Sequence, residues 1–343
     1  MLTKKVPLYL SILMMLAAAM LSSFIFPGFH KNNKDLSETV SSNINSNNNY
    51  CNYKIVRLNG YKYTHPLMYV DPSCESQSLT YVKNEITDII ESYKIAGTLS
   101  AASVYLRVYG TGDWISIADQ DKFSPGSLLK IPELITYFKM NENKPGLLDK
   151  QISFDKPFSS PQKNPVFLSK SIELGKKYTI RELLYYMIAY SDNEATILLN
   201  NNIDTAQFKK TFTDLGLQAP DWHANNYPIT ARDFSLFMKI LYNASYLTIE
   251  DSEYCTELLS HSDFKQGMLA GLPADIKIAH KFGEAGSQDK PELSESAIIY
   301  NNNKAYVITI MTRGTDMKKL PQVISKISAL VYEKLQQKLI AAI

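Results

Sequence analysis

Residues 123–140 read FSPGSLLKIPELITYFKM, and this stretch decides the fold. A Pro125-Gly126 turn gives way to a helix that is apolar on nearly every side: Leu128, Leu129, Ile131, Leu134, Ile135, Tyr137 and Phe138. A helix apolar all round is a buried one, and Lys130 goes into the interior with it. Ser127 stands at the first turn, at the positive end of the helix dipole, with free backbone N–H groups nearby. Those are the conditions an oxyanion hole requires. Burial disfavours an ammonium, so Lys130 can act as a base near neutral pH.

Ser-x-x-Lys sets a hydroxyl and an amine on one helix face, within reach of each other. The pattern alone is weak, because it occurs five times here: Ser127/Lys130, Ser153/Lys156, Ser160/Lys163, Ser262/Lys265 and Ser287/Lys290. Taken alone, Ser127 is an ordinary helix N-cap. Only its setting separates it from the other four.

Outward from this helix, periodicity predicts a helix over 79–93, with Tyr81, Ile86, Ile89 and Ile90 as its apolar stripe. Strands follow over 102–109 and 113–118, separated by Gly110-Thr111-Gly112. The middle of the chain reads as helices over 127–140, 179–190, 194–201, 205–215, 230–242 and 251–260. Thr179, with Glu182 three residues on, and Thr230 serve as N-caps. Strands return over 277–282, 296–300 and 305–312, and an amphipathic helix closes over 320–339. Strands at both ends must pair, so the fold class is α+β, an α/β/α sandwich. It has an antiparallel five-stranded sheet flanked by helices and a separate all-helical lobe. The cleft between sheet and lobe is the natural place for a site.

Lys+Arg 36 against Asp+Glu 34 leaves no net field to attract nucleic acid. Lys4 and Lys5 precede an uncharged run over residues 6–26. At 21 residues the run exceeds a usual signal core of roughly 7–15. It can span a bilayer core of about 30 Å. Bulky residues 24–29 offer no small-x-small cleavage site, which favours an uncleaved signal-anchor over a cleaved signal peptide. Residues 31–50 are polar and rich in Asn and Ser, as in a flexible tether, and 51–75 form a small extended lead-in. The domain proper is 76–343. The expected location is outside the cytoplasm, anchored to the membrane or secreted. Cys51, Cys74 and Cys255 have no metal-binding spacing. In an exported protein Cys51 and Cys74 can pair or stay free, and Cys255 reads as a small buried hydrophobe.

Two further motifs stand in order after Ser127. Ser191-Asp192-Asn193 interrupts an apolar helical stretch, and by itself reads as a C-cap followed by an N-cap. Lys281-Phe282-Gly283 falls at the end of the strand IKIAHKFG, where a Lys and a Gly can receive a carboxylate. Together the three resemble the Ser-x-x-Lys, Ser-Asp-Asn and Lys-Thr-Gly signatures of class A β-lactamases and penicillin-binding proteins. SPGSLLKIP, YTIRELLYYMIAYSDNEAT, TARDFSLFMKILY, GLPADIKIAHKFGEAG and AIIYNNNKAYVITIMTRG carry the resemblance in register from about residue 80 to 335.

The resemblance implies a serine acyl-enzyme mechanism without metal or organic cofactor. Ser127 attacks, Lys130 takes its proton and Ser191 relays a proton to the leaving nitrogen. Asn193 holds the substrate amide side chain. Lys281 directs positive charge toward the substrate carboxylate, followed by Gly283, which admits the ligand. The N–H groups of Ser127 and Glu284 form the oxyanion hole, each such donor supplying ~3–4 kcal/mol. The implied partner is a β-lactam or a cell-wall peptide, met by a monomer held to the membrane through its N-terminal segment. Two departures stand out. The family's Glu-x-x-Leu-Asn loop is missing from LQAPDWHANNYPI (217–229), where Asp221, His223 and Asn225 are candidate substitutes. Phe282 replaces the Thr of Lys-Thr-Gly, unless its side chain points into the core; Thr312, Arg313 and Ser287 are candidate replacements. Hydrolysis of β-lactams is the leading reading, with a D-Ala-D-Ala peptidase or a degenerate cell-surface binding module as alternatives.

Overall fold

The computed structural model describes residues 51–158, 165–167, 169–221, 227–301 and 304–340. The anchor and tether expected over residues 1–50 lie outside the described residues. Among the described residues no helix is long and apolar enough to cross a membrane.

The lead-in is an antiparallel hairpin of β1 (Tyr53–Arg57) and β2 (Leu67–Pro72). Cys51 and Cys74 close it as a disulfide, with Cα atoms 5.3 Å apart. Asp71, buried in β2, receives Arg107 at 2.7 Å and also Lys239. The Tyr69 hydroxyl donates to the Leu215 carbonyl at 2.8 Å. The lead-in is thus fastened to both the sheet and the helical lobe. Cys255 is free and buried.

Next come α1 (Thr80–Ile95), β3 (Leu99–Val108), β4 (Trp114–Ile117) and the short β5 (Lys122–Phe123). The buried face of α1 is Val82, Ile86 and Ile90, whereas Tyr81 is exposed, so the stripe is rotated from the expected one. The lobe holds α2 (Lys130–Asn143), β6 (Gln151–Ser153), β7 (Lys177–Thr179), α3 (Ile180–Ala189), α4 (Asn193–Asn200), α5 (Thr205–Thr213), β8 (Ile229–Thr230), α6 (Ala231–Tyr242) and α7 (Ile249–Ser260). Thr179 and Glu182 form a capping box, and the Thr230 hydroxyl accepts the Asp233 N–H, both at the expected caps. The chain ends with β9 (Lys277–Ser287), β10 (Lys290–Asn301), β11 (Lys304–Gly314) and α8 (Leu320–Ile340).

The five long strands form one antiparallel sheet in the order β4-β3-β11-β10-β9. Its two faces feed two cores. Val104, Leu106, Ile299 and Ile308 pack with α1 and α8, while Tyr105, Ile298 and Val307 pack with the helical lobe. A sheet covered on both sides reads as nearly continuous apolar runs, as in AIIY and AYVITIM. The strands are longer than expected: β9 and β10 meet at a Gln288-Asp289 turn, with Ser287 opposite Lys290. Lys281-Phe282-Gly283 therefore lies in mid-strand, not at a strand end.

Candidate active site

Ser127 sits in a single 3₁₀ turn, Gly126–Leu129, that leads into α2. Gly126 has φ 53, and a Cβ there would stand 2.2 Å from the Glu284 carbonyl oxygen. From the other side, a Cβ on Gly283 would stand 2.2 Å from the Pro125 oxygen and 2.9 Å from the Ser127 nitrogen. Glycine at both points lets the Ser127 turn press backbone to backbone against β9. Since β9 is an edge strand, one row of its backbone groups is left unpaired by the sheet. This brings the Ser127 nitrogen close to Gly283 and the Glu284 nitrogen close to Gly126, the two backbone groups expected to form an oxyanion hole.

Lys130, one turn on, is 3% exposed. Its amine donates to the Ser191 carbonyl at 2.7 Å, to Asn193 Oδ1 at 2.8 Å and to the Ser191 hydroxyl at 3.3 Å. These acceptors match the three donors of an ammonium. Burial nevertheless draws the Lys130 amine down to about 8, against the opposing pull of Glu133, Asp192 and Glu284. Ser191 holds a left-handed backbone, φ 55, uncommon for a residue other than glycine. Asp192 caps α4 through Glu194 N (3.0 Å) and also receives Ser171 Oγ (2.7 Å) and Ile172 N (2.9 Å). Ser127, Lys130, Ser191, Asn193, Gly283 and Glu284 therefore come together where the Ser127 turn, the α3–α4 turn and β9 meet.

Lys281 is wholly buried. Its amine donates to the Phe282 carbonyl at 3.0 Å and lies 4.4 Å from the centre of the Phe282 ring. Burial, and then the nearby Lys130 charge, hold it well below the usual lysine range. The sequence reading aims the Lys281 charge at a substrate carboxylate, whereas here the side chain has no exposed surface. Phe282 points into the core, stacked on Phe264 at 4.1 Å. None of the three expected substitutes for the missing hydroxyl is free at the cleft. The Thr312 hydroxyl is buried and given to the Leu293 carbonyl, and Arg313 is paired with Glu292 at 2.6 Å. Ser287 is exposed at the β9–β10 turn. Asp221 is exposed, and His223 and Asn225 lie outside the described residues.

Two acidic side chains at the site carry no signal in the sequence. The Glu284 carboxylate accepts the N–H groups of Val166 (2.8 Å) and Phe167 (3.1 Å), and the Phe167 ring meets Phe264 edge-on at 5.0 Å. Glu133 in α2 is 6% exposed, and burial pushes its carboxyl up to about 7, opposed by Lys130 and a hydrogen bond from Asn200. No periodic or motif signal marks either carboxylate: Glu133 looks like a surface position in an apolar helix, and the family resemblance points only to the backbone of Glu284.

Solved structures share this fold. The structure of PBP-A aligns with a TM-score of 0.62 at 19% identity, covering 76% of this chain and 97% of that one. A class A beta-lactamase from Mycobacterium abscessus aligns at 0.61 and 20% identity, over 74% and 99% of the two chains. A beta-lactamase from Chitinophaga pinensis aligns at 0.63 and 18% identity, over the same shares. No curated protein sequence matches the chain. The profile of the beta-lactamase enzyme family matches residues 81–335, from α1 into α8, so the chain belongs to that family.

Proposed function

We propose that this chain is an exported serine hydrolase that forms an acyl-enzyme with β-lactams at Ser127 and hydrolyses the opened lactam. The carrying observation is the Lys130 amine, buried one helical turn from Ser127 and bonded to both Ser191 and Asn193. Ser127 Oγ bonds to the lactam carbonyl carbon while its proton passes to Lys130. The N–H groups of Ser127 and Glu284 hold the oxyanion. As the C–N bond breaks, a proton reaches the nitrogen from Lys130 through the Ser191 hydroxyl. Asn193 orients the substrate amide, while burial of Lys130 favours its free amine. Water then cleaves the ester.

The Cys51–Cys74 disulfide supports an oxidising, extracytoplasmic compartment, with residues 1–30 as anchor. A second reading, a penicillin-binding peptidase acting on cell-wall peptide, is favoured by the absence of Glu from 217–229. The test is intact-mass spectrometry of the full chain with benzylpenicillin, beside Ser127→Ala. Addition of one penicillin to the wild type alone supports acylation, and an unmodified wild type that leaves the penicillin intact rules it out. Loss of the adduct within seconds indicates a lactamase, whereas persistence for hours indicates the peptidase type.

A further inference from the structure

Only the N–H of Glu284 enters the mechanism, and its side chain is left unused. The two carboxylate oxygens accept one backbone N–H each, from Val166 at 2.8 Å and from Phe167 at 3.1 Å. Such charge-assisted bonds are roughly twice as strong as neutral ones, so the carboxylate acts as a clamp. The Phe167 ring is seated beside it, edge-on to Phe264 at 5.0 Å and to Phe282 at 6.0 Å. Further along, the Ser169 hydroxyl donates to the Asp263 carboxylate. Ser171 Oγ and Ile172 N then donate to Asp192 at 2.7 and 2.9 Å.

The two ends of this run lie on opposite sides of β9. Side chains alternate along a strand. Gly283 meets the Ser127 turn and Ala279 joins the core of the helical lobe, so the odd-numbered positions face the lobe. Ile278 and Phe282 join the core beneath α1 and α8, which sends the Glu284 side chain to that side. Asp192 belongs to the lobe, between Ser191 and Asn193. Because β9 is the edge strand, a run tied to Asp192 and to Glu284 crosses that edge. Val166 stands at the crossing with 41% of its surface exposed.

We propose that the Glu284 carboxylate is a specificity-determining group for acylation. It clamps Val166 and Phe167 across the β9 edge, and so favours substrates whose acyl substituent is compact. This rests on the reading of Ser127 as the acylated residue. Asn193 and the Glu284 N–H flank the reacting carbonyl, and the run is fixed to Asp192 beside the one and to Glu284 itself. A compact substituent leaves the crossing in place. A bulky one that extends past the carbonyl meets Val166, and must break the two N–H bonds or unseat the Phe167 ring.

The test compares acylation of the full chain by benzylpenicillin and by its analogue with an acetyl in place of the phenylacetyl group, which keeps the amide. Stopped flow gives the two rate constants, and hydrogen exchange with mass spectrometry follows the amides of Val166 and Phe167. Glu284→Ala keeps the backbone N–H and removes the clamp. Exchange at those amides should quicken about tenfold or more. The ratio of the benzylpenicillin rate to the acetyl rate should rise about tenfold or more, the range over which a pocket discriminates such groups. Glu284→Gln, whose amide oxygen still accepts, should fall between the wild type and Glu284→Ala in both readouts. Phe167→Ala removes the ring anchor from outside the oxyanion hole and should also raise the ratio, and it decides the matter if Glu284→Ala does not fold. Unchanged exchange in Glu284→Ala, or faster exchange with an unmoved or lower ratio, overturns the proposal. A chain that leaves both penicillins intact refutes acylation at Ser127 and the specificity role with it, whereas a reacting chain with an unmoved ratio refutes the specificity role alone.

Discussion

The Lys130 amine lies 2.7 Å from the carbonyl oxygen of Ser191, a residue whose own backbone stands in the left-handed region at φ 55. The strained turn between α3 and α4 turns both the carbonyl and the hydroxyl of Ser191 toward the base. Such a conformation costs about 1–2 kcal/mol for an L-residue and persists where its surroundings hold it.

Ser191→Gly should therefore raise thermodynamic stability by up to about 1 kcal/mol while slowing acylation on the order of a hundredfold or more, through loss of the relay hydroxyl. Ser191→Ala should show a similar kinetic loss without the gain. Denaturant unfolding beside stopped-flow acylation separates the two. An unchanged rate in both variants would remove Ser191 from the proton path.

Lys130 serves as a base only when deprotonated, and its titration lies at about 8. Below that pH the free-amine fraction falls, so acylation should slow about tenfold per pH unit on the acid side and level off above. A rate independent of pH between about 6 and 9 would assign the base elsewhere.

Gly126 and Gly283 hold the Ser127 turn and β9 in direct contact, and a Cβ added to either would come within 2.2 Å of a backbone oxygen. Gly283→Ala should destabilise by about 2 kcal/mol or more and abolish acylation, because the backbone must separate and open the oxyanion hole. A folded, fully active Gly283→Ala would show that the close approach is dispensable.

The Cys51–Cys74 bridge spans a sequence separation of 23, and closing a loop of that size stabilises by about 3 kcal/mol. Reduction, or Cys51→Ser with Cys74→Ser, should lower the melting temperature while acylation at low temperature survives, since the bridge closes the lead-in hairpin and not the elements that carry Ser127, Lys130 and Ser191. Calorimetry with and without reductant tests this.

Much of the site was legible because short motifs sit on element boundaries. Thr179 and Thr230 capped as read, and the Pro125-Gly126 turn marked the start of the buried helix. The strand ends were not legible. Gly283 and Gly286 look like terminators, yet Gly283 is there for the close approach to Pro125 and Gly286 for a left-handed φ just before the turn. Phe282 reads as a lost hydroxyl in the motif, whereas in space it is a core residue stacked on Phe264. The stripe on α1 was misread because Tyr81, counted as apolar, lies at the surface with its hydroxyl toward the Lys334 carbonyl. Glu133 is illegible for a different reason: a single acid in an apolar helix carries no periodic signal, and Asn200, which bonds to it, stands on another helix.

The central claim is acylation of Ser127. It is tested most directly by peptide mapping of the full chain after brief exposure to benzylpenicillin at pH 8. The account predicts the penicilloyl group on the peptide holding Ser127, absent from Ser127→Ala and strongly reduced in Lys130→Arg. An adduct on another residue, or an unmodified wild type beside intact penicillin, would contradict it.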